Sequence, residues 1–143
     1  MGKLVAIYLR PSARTPVREV AEASAQVGVG LEGDHAHGGK RQVTLLAREA
    51  WAAACGALGE AVPPASRRAN LLVEGVDLRA SRGRRLRLGE VEVVVEGETR
   101  PCGLMDDARL GLRDALAPEW RGGVYGRIEV GGAVRVGDPV AWV

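Results

Sequence analysis

The chain of 143 residues contains two cysteines, and their surroundings differ. Cys102 sits in Glu98-Thr99-Arg100-Pro101-Cys102-Gly103-Leu104, between an apolar run, Val91–Val95, that reads as a strand and a segment from Met105 to Leu116 that reads as a helix. A substrate can reach a thiol at such a junction, and both a following helix N-terminus and the neighbouring Arg100 favour thiolate over thiol. Pro101 fixes its own backbone and biases Arg100 towards an extended conformation, while Gly103 leaves room for a ligand to approach. Asp106 and Asp107 act in the opposite direction, competing for the helix N-terminus and repelling a thiolate. The residues alone leave Cys102 open between a reactive thiol and a small buried hydrophobe. Cys55, in the Ala-rich stretch Ala47–Leu58, reads as core filling.

Two further groups have polar chemistry. Asp34-His35-Ala36-His37-Gly38-Gly39 lies in a stretch, Val27–Gly39, that places five glycines and two histidines in thirteen positions. Glycines of such a loop can turn backbone N–H groups towards an anion, with His35 or His37 supplying a proton or hydrogen bond. Arg67 and Arg68 with Asn70 form the second group, suited to clamping a phosphate or carboxylate, although neighbouring strand residues face opposite ways and at least one arginine is expected in solvent. His35, His37, Asp34 and Cys102 could together ligate zinc, but a lone His-x-His without a Cys-x-x-Cys or His-Glu-x-x-His partner is a weak metal signal. The sequence has no Ser/His/Asp order, phosphate-binding Walker loop or dinucleotide fingerprint.

Composition narrows the classes. Lys and Arg exceed Asp and Glu by 20 − 18 = 2, too little to imply a nucleic-acid partner. No apolar run nears the ~20 residues that span a bilayer and no signal-peptide pattern opens the chain, so a cytoplasmic protein with reduced cysteines and no membrane partner is expected. The length suits one domain, 1–143.

The elements that must position these residues follow from patterning. Strands are expected at Lys3–Leu9, loosely at Val17–Ala25, at Asn70–Val73, and as a hairpin of Leu86–Leu88 and Val91–Val95 around Gly89-Glu90. Gln42–Leu46 leads into a helix, Ala47–Leu58, with Thr44 available as its N-cap and Gly59 and Pro63-Pro64 beyond its end. A second helix is expected from Met105 to Leu116, with Met105, Leu112 and Leu116 on its apolar side and Pro118 ending it. Val124–Val130, Ala133–Val136 and Pro139–Trp142 read as a closing β-meander joined by Gly131-Gly132 and Gly137-Asp138. Twenty glycines, many short strands and two or three short helices point to a mainly β, barrel-like fold.

The ordered motifs Gly30-Leu31-Glu32-Gly33-Asp34, Arg41-Gln42-Val43-Thr44-Leu45-Leu46, Arg67-Arg68-Ala69-Asn70-Leu71, Gly75-Val76-Asp77-Leu78, Leu88-Gly89-Glu90 and Arg100-Pro101-Cys102, with Gly126-Arg127 and Val136-Gly137-Asp138 after them, resemble the MOSC domain, the family named for the C-terminal domain of molybdenum cofactor sulfurase. The resemblance implies a β-barrel-like fold and a role for Cys102 at the position of the family's cysteine. That cysteine either carries sulfur as a persulfide or ligates the molybdenum of a pterin cofactor. Asp34, His35, His37, Arg67, Arg68, Asn70, Arg100 and Arg127 are the positions the resemblance places around a cofactor phosphate or an anionic substrate. Where the family often has histidine in a Gly-Asp-x-His pattern, this chain has Ala36, flanked by its two histidines.

Three readings follow. Cys102 is a sulfur carrier loaded by a separate cysteine desulfurase, with no pyridoxal phosphate bound by this chain itself. Alternatively it is the metal ligand of a molybdenum-cofactor reductase of N-hydroxylated compounds. In the third, the domain is a non-catalytic module for a small anion or partner protein.

Overall fold

A computed structural model describes residues 2–143. Eleven strands and three short helices follow in the order β1 (Gly2–Leu9), β2 (Arg18–Val20), β3 (Glu22–Gln26), β4 (Gly30–Leu31), β5 (Val43–Ala47), α1 (Arg48–Leu58), β6 (Leu71–Glu74), β7 (Arg85–Leu88), β8 (Val91–Glu98), α2 (Gly103–Ala108), α3 (Leu112–Leu116), β9 (Val124–Val130), β10 (Gly132–Arg135) and β11 (Pro139–Trp142). Seven strands, in the order β11-β7-β8-β9-β5-β6-β1, close into a barrel through the pairing of β1 with β11. The mainly β, barrel-like expectation is met.

Strand patterning shows how the barrel is filled. In β8, Val91, Val93 and Val95 are buried inside while Glu92, Val94 and Glu96 alternate with them outside, the period-two signature of a sheet with one solvated face. β5 is buried throughout because α1 covers its outer face: Leu45 enters the barrel core, Leu46 the layer under the helices. A register shift between Leu4 and Ala6 lets β1 serve both layers. Leu4, Ile7 and Leu9 point inward, Ala6 and Tyr8 towards Trp51, Met105, Leu112 and Leu116, as expected of a β-bulge.

Four expectations are corrected. The last three strands form no meander: β9 pairs with β8 and β5, β11 with β7 and β1, and β10 leaves the barrel to join β3 and β4 in a three-stranded sheet. The glycine turns allow each strand to be redirected, and local sequence does not encode which distant edge is free. The stretch Val17–Ala25 is two strands in different sheets, β2 and β3, rather than one. Thr44 does not cap α1, because β5 runs on to Ala47. The Met105–Leu116 helix is broken at Gly111, which adopts a positive φ of 92°. Asp106 Oδ1 accepts hydrogen bonds from the N–H groups of Gly111 and Arg113 across the break, serving the start of α3. Met105, Leu112 and Leu116 are still buried and Leu110 is exposed.

Gly123, just before β9, has φ 96° and lies so close to β5 that a Cβ would overlap the Leu45 carbonyl. Gly38 also has positive φ, 73°, but faces open space. Gly123→Ala is therefore expected to cost roughly 3 kcal/mol, overpacking adding to left-handed strain, and Gly38→Ala only about 1 kcal/mol. Shifts in urea midpoint compare the two; equal shifts would contradict the packing assigned to Gly123.

Candidate functional site

A cleft of about 930 Å³ opens beside the barrel between the chain after β1, the start of β5, the approach to β6 and the segment from Thr99 to Ala108. Six arginines line it, Arg10, Arg14, Arg41, Arg67, Arg68 and Arg100, with His35 and Cys102. Among the described residues no carboxylate lines it. A smaller cleft of about 400 Å³ between α1 and the β6–β7 connection instead mixes Glu49, Asp77 and Glu119 with Arg79 and Arg121. Only the first joins a thiol to charge of one sign.

Cys102 is exposed. It precedes the six-residue helix α2 in an extended conformation, its carbonyl accepting from Met105 N–H at 3.0 Å. Cys55 is half-buried in α1, its sulfur 3.8 Å from the Val62 carbonyl, so the two cysteines have separate surroundings.

Beneath the cleft lies a hydrogen-bonded hub. Asp34 is 3% exposed, and Arg10 donates to it from the backbone N–H (2.8 Å), Nε (3.1 Å) and Nη2 (3.0 Å). Ala36 N–H and Asn70 Nδ2 complete its set at 3.1 and 3.0 Å. Asn70, wholly buried, donates also to the Tyr8 carbonyl and accepts at Oδ1 from Thr44 N–H and hydroxyl. Its own N–H donates to the Thr44 hydroxyl. The end of β1, the start of β5, the approach to β6 and the histidine loop are thereby pinned together. Burial pushes the Asp34 carboxyl up, but the Arg10 hydrogen bonds and charge, with the Ala36 N–H, outweigh it and hold the carboxyl below its ordinary 3.8.

The residues expected to surround a ligand fall into distinct places. His35, Arg67, Arg68 and Arg100 line the cleft with Cys102. Asp34 and Asn70 lie behind it, their side-chain groups engaged with the protein. His37 is exposed and outside the cleft lining. Arg127, on β9, is bound to Glu96 on β8 and to Glu129 at 3.4 Å, also away from the cleft. The loop's N–H groups at His35 and Gly38 donate to the Arg10 and Val29 carbonyls at 2.8 Å, so they shape the loop. Among the described residues, no three His, Cys, Asp or Glu side chains gather as a metal site.

Arg67 is 9% exposed. Its Nε donates to the Gly122 carbonyl (2.9 Å) and its Nη2 to the Thr99 carbonyl (2.8 Å). A Cβ on Gly122 would lie 2.7 Å from the Thr99 carbonyl and 3.1 Å from Arg67 Nη2, so glycine there leaves room for the guanidinium. Burial pushes the Arg67 guanidinium down, the charge of Cys102 opposing and that of Arg41 adding; an arginine nevertheless keeps its proton. Arg68, at φ 62°, donates to the Thr15 carbonyl and, at 3.0 Å, to the Ser12 carbonyl. It thus holds the loop that brings Arg14 to the cleft.

Sequence reasoning passed over Arg10, Arg14, Arg41, Thr99 and Gly122. Arg10 directly follows β1 and Arg41 stands two residues before β5, the one signal that could have marked them. Arg41 also stacks 5.4 Å from the Tyr125 ring centroid.

The model of the MOSC domain matches residues 32–141, and the chain belongs to this family. Solved structures with the same fold include YuaD from Bacillus subtilis, with 20% identity, a TM-score of 0.78, and 98% of this chain and 94% of that chain covered. YiiM from Geobacillus stearothermophilus is similar with 18% identity, a TM-score of 0.78, and coverage of 100% and 75%. YiiM from Escherichia coli has 20% identity, a TM-score of 0.73, and coverage of 99% and 69%. No curated protein matches the chain in sequence. Among the described residues no helix is long and apolar enough to cross a membrane.

The lowered Asp34 carboxyl has a pH consequence. With its folded value below the unfolded one, its stabilisation is complete above about pH 4 and is lost as pH falls through the folded value. Asp34→Asn is expected to cost about 3 kcal/mol at pH 7, because Arg10 loses its buried partner, and to flatten the acid loss of stability measured by urea unfolding. An unchanged acid limb would contradict the assignment.

Proposed function

We propose that the protein is a sulfur carrier in which Cys102 holds a persulfide for metal–sulfur or molybdenum cofactor assembly. The observation that supports this is the exposed Cys102 thiol in a cleft walled by arginines, with no carboxylate in the lining among the described residues. Positive potential attracts anionic reactants and favours the anionic sulfur that attacks and departs in sulfur exchange.

The donor consistent with this chemistry is the persulfide of a separate cysteine desulfurase. The Cys102 thiolate attacks the terminal sulfur of that persulfide, a new S–S bond forms on Cys102, and the donor's S–S bond breaks to release its cysteine as a thiolate. No net oxidation occurs, because the sulfane sulfur changes carrier with its electrons. Arg67 and Arg41 stabilise negative charge in the cleft, and Arg100, fully at the rim, meets arriving anions first.

The molybdenum cofactor associated with the MOSC family suits the same donor set. Its phosphate would be held by the cleft arginines and its metal by the soft sulfur of Cys102. When bound, that group supplies two-electron oxygen-atom exchange, the chemistry of a reductase of N-hydroxylated compounds. Under this reading too, the chain's own part is to bind the anion and present one thiolate.

Incubation with a cysteine desulfurase and L-cysteine is expected to add one sulfur atom to Cys102, seen by intact and peptide mass spectrometry. Cys102→Ser should abolish the gain and Cys55→Ser retain it. No gain on wild-type protein would contradict the carrier reading. Molybdenum and pterin retained by protein from a cofactor-competent host would favour the cofactor reading, and an unimpaired Cys102→Ser variant in cells would favour a non-catalytic module.

A further inference from the structure

We propose that the segment from Arg100 to Leu110 docks the protein that hands sulfur to Cys102, and that this partner presents its persulfide on a loop whose acids enter the cleft while its apolar side chains rest on Leu104 and Leu110. This rests on the carrier reading of Cys102 and names the kind of donor it takes.

Two exposed leucines carry the inference. Leu104 is 64% and Leu110 75% exposed, whereas every leucine of the two core clusters is 5% exposed or less. Both follow Cys102 closely, and neither is on loose chain. Met105, beside Leu104, is 3% exposed and anchors α2 in the same apolar layer as Trp51, Leu112 and Leu116. Leu110 precedes Gly111, whose N–H Asp106 holds at 3.2 Å. Folding thus fixes where both leucines stand without requiring leucine at either place, since a polar side chain there would meet water at no cost in packing. Isolated exposed leucines are ordinary, but two on the segment that carries the exposed thiol form surface of the kind that partners bury. Four helical steps to the end of α2 and two extended ones put them at most roughly 13 Å apart, well inside the ~800 Å² that one partner covers in a standard interface.

Shape and charge fix the occupant. Leu104 is part of the cleft lining and Leu110 is outside it, so a small molecule that reaches Cys102 leaves Leu110 in water. Whatever covers both is larger than the cleft. The Arg100 side chain is 88% exposed, with Glu98 3.9 Å away, and Arg14 stands exposed in the cleft lining; these cations match acids on the partner. A second copy of this chain would set arginines against arginines, and a flat lipid surface would cover the leucines without entering the cleft. An acidic loop with apolar flanks does both, its charge speeding encounter and its buried apolar area slowing release. Within the docked pair the Cys102 thiolate takes the terminal sulfur and the donor cysteine leaves as a thiolate, so docking alters the encounter and not the chemistry.

Rates of sulfur transfer to Cys102 from three persulfides, read by mass spectrometry in a Cys55→Ser background, test this. The donors are a short peptide whose persulfidated cysteine is flanked by Asp and Leu, the same peptide with Lys and Ser in those places, and glutathione persulfide. Transfer from the Asp/Leu peptide is expected to be roughly tenfold faster than from the Lys/Ser peptide, the advantage shrinking with salt. Leu110→Ser should slow the Asp/Leu peptide about fivefold and leave glutathione persulfide unchanged. Val27→Ser, which removes a 59% exposed apolar side chain just after β3, should change neither. Equal rates from the two peptides, no effect of Leu110→Ser, or equal slowing of all three donors would overturn the docking surface and leave the carrier function standing. Sedimentation of wild type but not of Leu110→Ser with phosphatidylglycerol vesicles would overturn it in favour of a lipid surface. No sulfur on Cys102 from any donor would overturn the carrier reading and the docking surface with it.

Discussion

The Asp34 carboxylate, buried under Arg10 and fixed by Asn70, is the interaction on which the rest of the structure depends. It accepts from three Arg10 groups, the Ala36 N–H and the Asn70 amide, and Asn70 extends the network to Thr44 and Tyr8. Four segments distant in sequence meet there, and each contributes a wall of the cleft. In a low-dielectric setting such a satisfied network is rigid, and each member becomes expensive to remove. It also consumes the buried acid beneath the cleft. Arg10 is neutralised from below, and of the arginines above only Arg100, at the rim, has an acid within reach among the described residues, Glu98 at 3.9 Å.

Elsewhere in the fold arginine is matched to acid. Glu92 takes Arg85 and Arg87, Glu96 takes Arg127, and Glu22 takes Arg135. These are pairs along strand faces, worth little each to stability, but they separate cations that are spent from cations that are available. A net charge of +2 thus conceals a cleft beside Cys102 whose lining carries charge of one sign. It is this partition, rather than total charge, that suits the domain to anionic chemistry. The buried Arg67 extends the field inward from the rim.

Much of the fold was legible because barrel strands alternate in period two and because glycine turns punctuate them. The Leu86–Leu88 and Val91–Val95 hairpin is present as β7 and β8 around Gly89, and Met105, Leu112 and Leu116 form the buried helical face. Strand order was not legible: β10 and β11 are local neighbours that pair with different distant strands, a choice made by which edges remain free. At the site, Cys102, His35, Arg67, Arg68 and Arg100 could be singled out by residue type and context. The inward roles of Asp34 and Asn70 could not, since a polar residue in a glycine loop reads the same whether it faces a ligand or the core. Thr99 was hidden for the opposite reason, because a threonine at a strand end is ordinary until its hydroxyl is found buried without a partner.

The central claim is that Cys102 opens onto a cleft whose charge selects anions. It is tested most directly by comparing the alkylation rates of Cys102 with anionic iodoacetate and neutral iodoacetamide, in a Cys55→Ser background and against glutathione as reference. The account predicts a higher iodoacetate-to-iodoacetamide ratio for Cys102 than for glutathione, with the advantage shrinking as salt screens the field. A ratio equal to or below that of glutathione, insensitive to salt, would contradict it.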